Sequence, residues 1–177
     1  FVNETGASEQ TACDAGKYSG SAASACLDCE TGTYQDAMGQ SSCALADAGS
    51  FVDAMGASEQ TACPAGSSSG SGASACDECE RGTYQSLVGQ ASCALADGGS
   101  FVDLAGASEQ TACPAGSFSG SGASECVDCD VGTYQDATGQ SGCKLADAGS
   151  FVNETGASEQ TACDAGKYSG SGASKCD

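Results

Sequence analysis

Large apolar side chains are sparse along this chain, and those present keep to fixed places. Tyr18, Tyr34 and Phe51 each stand two residues after a glycine, at Gly16, Gly32 and Gly49. The offset recurs at Tyr84, Phe101, Phe118, Tyr134, Phe151 and Tyr168, and Phe1 stands where such a glycine would precede it; no aromatic occurs elsewhere. Small and polar residues fill the intervals. Windows such as GTYQ and GSFV predict short strands, and DAG, MGQS and SGSGAS predict the turns between them. Over ASEQTAC a short helical turn opened by Ser58 and Glu59 competes with the extended reading, and helical signals are nearly absent elsewhere. Legs of about six residues limit each hairpin to roughly 20 Å.

The pattern repeats at two levels. FVNETGASEQTACDAGKYSG opens the chain and begins again, unchanged, at position 151. Cysteines fall at 13, 26, 29 and 43, at 63, 76, 79 and 93, at 113, 126, 129 and 143, and at 163 and 176, which is a period of 50 residues. The predicted organisation is a partial first repeat over 1–45, repeats over 46–95 and 96–145, and a partial fourth over 146–177. The exact restatement at Phe151 adds a super-period of 150 residues. Each repeat holds three similar units. Cys13 to Cys26 reads CDAGKYSGSAASAC, Cys29 to Cys43 reads CETGTYQDAMGQSSC, and Ala46 to Gln60 reads ADAGSFVDAMGASEQ.

The third unit keeps the spacing of the second but lacks both of its terminal cysteines. A unit closed on itself by a disulfide can lose that bond without leaving an orphan thiol only by losing both partners. Ala46 and Gln60, Ala96 and Gln110, and Ala146 and Gln160 are such pairs. The expected bonds are therefore local: Cys13 with Cys26, Cys29 with Cys43, Cys63 with Cys76, Cys79 with Cys93, Cys113 with Cys126, Cys129 with Cys143, and Cys163 with Cys176. Each closes a loop of about 14 residues, worth roughly 3 kcal/mol in the chain-entropy account. One aromatic per unit, packed on the disulfide and the neighbouring glycine, would build a one-dimensional core. Ser68 is the one position where that aromatic is missing, which makes the second repeat the loosest.

Composition explains the need for such bonds. Most of the 40% hydrophobic content is Ala and Cys, with no Trp, and small side chains bury little apolar area at about 25 cal/mol per Å². Fourteen cysteines in such a chain indicate a disulfide scaffold in an oxidising, extracellular compartment. The net charge of −19, with five Lys and Arg, excludes nucleic acid and disfavours anionic membranes. No apolar run is long enough to span a bilayer, so no membrane insertion is expected of this segment. No apolar leader precedes Phe1, so the sequence reads as a stretch of a longer secreted protein. The fold class expected is small and disulfide-rich, mostly irregular with short β-hairpins, repeated into an elongated, solenoid-like rod.

CLDCETGTYQDAMGQSSC, residues 26–43, resembles the ephrin-receptor-like cysteine-rich repeats and the single-disulfide modules of tumour necrosis factor receptor ectodomains. The resemblance runs along essentially the whole chain. It implies stacked, disulfide-laddered modules with pairing inside each module. The chain departs from it in lacking cysteines at 10, 46, 60, 96, 110, 146 and 160 and in keeping Pro after Cys only at Pro64 and Pro114.

Other chemistries fit less well. The C-x-x-C pairs Cys26/Cys29, Cys76/Cys79 and Cys126/Cys129 could bind zinc, but the chain has no His and the pairs lie far apart. Their acidic spacers, Asp28, Asp77, Glu78 and Asp128, would raise rather than lower a thiol pKa, against redox catalysis. Asp28 with Glu30, Glu78 with Glu80, and Asp128 with Asp130 offer oxygen ligands for calcium without the spacing of a known calcium loop; calcium is not required, and no cofactor is expected. Asn3 and Asn153, the only asparagines, each head an N-x-Thr sequon and are candidate N-glycosylation sites. Exposed Ser and Thr add candidate O-linked positions. No catalytic constellation is present, so the protein is not expected to be an enzyme. The reading that best joins these features is a structural subunit of an extracellular filament, surface fibre or flagellar hair, self-associating through its repeats. A receptor or adhesin stalk, or a surface-coat antigen, is the alternative.

Overall fold

The computed structural model describes Phe1 and residues 9–177. Among them, regular structure consists of two-residue strands, paired as antiparallel two-stranded hairpins, with no helix. In the first three units β1 (Lys17–Tyr18) pairs with β2 (Leu27–Asp28), β3 (Thr33–Tyr34) with β4 (Ala44–Leu45), and β5 (Ser50–Phe51) with β6 (Thr61–Ala62). The next unit repeats the first, β7 (Ser67–Ser68) against β8 (Asp77–Glu78), and the pattern runs on to Ala162. The chain divides into two compact bodies, Phe1–Cys79 with Gln85–Cys93, and Glu80–Tyr84 with Ala94–Asp177. The same contacts recur inside each.

Every hairpin is built by the same local rule. A tight turn follows the opening residue: Ser50 N–H donates to the Asp47 carbonyl at 2.9 Å, and Thr33 N–H to Glu30 at 3.0 Å. The glycine before the strand takes a positive φ, +87° at Gly49 and +79° at Gly32, which such a turn requires and which L side chains resist. A longer loop then returns, and the two residues after the closing position pair with the aromatic strand. The return strands are thus the spacers themselves: LD between Cys26 and Cys29, AL between Cys43 and Ala46, TA between Gln60 and Cys63.

Two expectations change. The strands are two residues long rather than about six, because the turn glycine and the closing residue bound the pairing on either side. ASEQTAC bends at Ser58 and Glu59 and enters β6, with no helical turn. Ser68 holds its place in the ladder, opposite Asp77, despite lacking the ring.

The core also differs from the expected aromatic stack. The fully buried apolar residues are the opening cysteines Cys13, Cys29, Cys63, Cys79, Cys113 and Cys129, their stand-ins Ala46, Ala96 and Ala146, and Val52, Val102 and Val152. The aromatics that have a following unit are only half-buried. Glycine contacts explain why. A Cβ placed on Gly32 would lie 2.3 Å from the Gly72 carbonyl oxygen, and one on Gly82 would lie 2.3 Å from that of Gly122. Backbones that close leave no room for a ring between them.

Candidate functional site

The arrangement most open to a functional reading is the contact between successive units together with the means by which each unit is shut. Three backbone hydrogen bonds join one unit to the next. The turn glycine donates forward, as Gly32 N–H does to the Val52 carbonyl at 2.8 Å. The residue after the aromatic donates forward, as Val52 N–H does to Ala73 at 3.0 Å. The second glycine donates back, as Gly72 N–H does to Ala46 at 2.7 Å. In the second body Gly82 to Val102, Val102 to Ala123 and Gly122 to Ala96 repeat the set at 2.8, 3.0 and 2.7 Å. The partners are main-chain groups, so the contact does not depend on which side chain a unit carries. The glycine approaches add a second tier, since Gly32 and Gly72 belong to units one apart from adjacent. Within each body a unit with two successors therefore touches both.

Closure takes two forms. The structure joins Cys13 with Cys26, Cys29 with Cys43, Cys63 with Cys76, Cys79 with Cys93, Cys113 with Cys126, Cys129 with Cys143, and Cys163 with Cys176. The paired Cα atoms lie 5.7 or 5.8 Å apart, and no cysteine is free. The opening sulfurs of the first six pairs are buried, while the closing cysteines are half-buried.

In the third unit of each repeat a polar clasp stands in for the bond. Gln60 Oε1 accepts from Asp47 N–H at 2.6 Å, and Gln60 Nε2 donates to Asp47 Oδ2 at 2.6 Å. Gln110 with Asp97, and Gln160 with Asp147, make the same two bonds at the same distances. Ala46 fills the buried seat of the opening cysteine. The following unit braces the clasped one: Ser71 Oγ donates to the Ala46 carbonyl at 3.0 Å, and Ser69 Oγ to that of Ser50 at 2.9 Å. Ser121 and Ser119 do the same for Ala96 and Ser100. Sequence reasoning missed the clasp. Its signal was there, a Gln at every vacated closing position and an Asp just after every vacated opening one.

Asn153 is exposed at the loop that follows Phe151, with Thr155 also exposed. Asn3 lies outside the described residues. Among those described, no three His, Cys, Asp or Glu side chains converge to hold a metal ion. Asp28 of the first acidic pair is engaged by Lys17. On the surface Lys144 donates to Asp136, and that hydrogen bond holds the Asp136 carboxyl below its ordinary pKa and the Lys144 ammonium above its own. No helix among the described residues is long and apolar enough to cross a membrane.

Hairpins of one design, shut by one local bond and stacked through main-chain contacts, define a tandem cysteine-rich repeat protein. The family model described as tyrosine-protein kinase ephrin type A/B receptor-like matches residues 16–63, 66–113 and 116–163, and the chain belongs to that family of repeats. No curated protein matches the chain.

Proposed function

We propose that this chain is a segment of an extracellular structural fibre, such as a surface filament or flagellar hair, with no enzymatic role. The observation that carries the reading is the uniform contact between units. Main-chain hydrogen bonds and glycine-to-carbonyl approaches recur from unit to unit, so length is added by repetition without new side-chain chemistry. Disulfide closure suits an oxidising exterior and resists proteolysis. The assembly unit on this reading is the 50-residue repeat, with copies over 46–95 and 96–145. Sugars on Asn153 and Asn3, and on exposed hydroxyls, would dress the surface, and copies would associate through repeated faces with no need of calcium.

Electron microscopy of the native, unreduced protein tests the proposal. Ordered fibres with a regular axial repeat are expected. Separate flexible particles at all concentrations would overturn it in favour of a receptor or adhesin stalk.

A further inference from the structure

Each repeat contains two loops that cannot lengthen without breaking a covalent bond and one that can. Between Cys29 and Cys43, tension passes through the disulfide and bypasses the loop; the same holds from Cys63 to Cys76. From Cys43 to Cys63 no disulfide offers a short cut. That stretch contains the clasped unit, held shut by the Gln60–Asp47 pair, the β5–β6 pairing and the contacts with the following units. We propose that the clasped unit of each repeat, residues 46–60, 96–110 and 146–160, is a reserve of length released by tension while the disulfide-closed units stay shut.

The physical asymmetry is large. A disulfide loop opens only by bond cleavage or thiol exchange, whereas the clasp is two hydrogen bonds on a half-buried Gln, of the kind water replaces readily. The serine brackets from the next unit, Ser69 and Ser71 onto Ser50 and Ala46, make release a discrete event rather than gradual fraying. Extension is bounded by covalent topology: about 20 residues at ~3.4 Å each allow at most roughly 70 Å per repeat. The geometry also explains why both closing residues change together. A lone cysteine would leave a reactive thiol, while Ala and Gln leave a shut but openable unit. Release of the clasp is a property of a single chain and needs no fibre.

Single-molecule stretching of the oxidised 177-residue chain by its ends reads the device directly. Three long steps are expected, each no more than about 70 Å, one for each clasped unit. In the A96C/Q110C variant, with its new bond verified by mass, one step disappears. Gln110→Ala keeps three steps but lowers the force of one. Adding reductant releases the remaining loops and increases total extension. Smooth extension without long steps overturns the proposal, as does retention of three steps in the cross-linked variant or an unchanged set of forces in Gln110→Ala.

Discussion

At the scale of single residues, the backbone dictates more than the side chains do. The turn midway along each return loop needs a residue at positive φ, and Gly72, Gly122 and Gly172 supply it at +75°, +75° and +73°. In the first repeat the same place is held by Ala22 at +63°, the one non-glycine with positive φ among the described residues. A Cβ there costs about 1–2 kcal/mol, and a glycine gives back about 0.5–1 kcal/mol through the greater freedom of the unfolded chain. Ala22→Gly is therefore expected to stabilise the first repeat by roughly 0.5–1 kcal/mol, seen as slower amide exchange at residues 13–26. Faster exchange would show that Ala22 is not strained. The aromatic positions were legible in the sequence, but their burial was not. Periodic rings suggest a core, and only the glycine approaches reveal that the backbones pack too closely to admit one. The buried Val52, Val102 and Val152 follow the ring by one residue, at the place that Ser69, Ser119 and Gln135 also hold buried, so position rather than residue type sets the burial.

At the scale of the hairpin, stacking sets the demand on glycine. Gly99 and Gly149 occupy the same turn with nearly the same φ, +89° and +84°. A Cβ on Gly99 would meet the Gly139 carbonyl oxygen at 2.2 Å, whereas in this 177-residue stretch, which stops short of the unit that would stand against it, one on Gly149 meets nothing within 4 Å. Both alanine variants incur the conformational cost of about 1–2 kcal/mol, but only Gly99→Ala must also push two hairpins apart. Gly99→Ala is expected to lose at least about 2 kcal/mol more than Gly149→Ala, in line with typical overpacking costs, when urea unfolding is followed at the two sites by amide exchange. Equal losses would mean that the turn, not the stack, imposes the glycine. The first strand and the turn of each hairpin were legible from GTYQ, GSFV and DAG. The return strand was not, because LD, AL, DE and TA share no β-forming character. Their conformation is imposed by the partner strand and by the closed loop behind them. The clasp was hidden for a related reason: Gln60 reads as ordinary polar surface until the turn brings Asp47 beside it.

At the scale of the whole molecule, charge and exposed apolar tips act in opposite directions. Twenty-four acidic side chains face five basic ones, and Lys17 and Lys144 are already engaged by Asp28 and Asp136. Copies therefore repel over the Debye length, about 30 Å at 0.01 M salt and under about 8 Å above 0.15 M. The loop tips meanwhile present Met38, Met55, Leu87, Val88 and Leu104, each more than 60% exposed, and apolar contact is not weakened by salt. If copies meet through these tips, raising NaCl from 10 to 500 mM removes the repulsion and leaves the attraction. Sedimentation velocity on the oxidised chain is then expected to show a shift to larger species at high salt, reversed on dilution into low salt. Met55→Asp with Leu104→Asp should abolish that shift without altering the disulfide-closed units, because both side chains are exposed. Association that weakens as salt rises would instead place ion pairs at the contact, and the few cations this chain has to spare, Arg81 and Lys167 among them, would become the next residues to change.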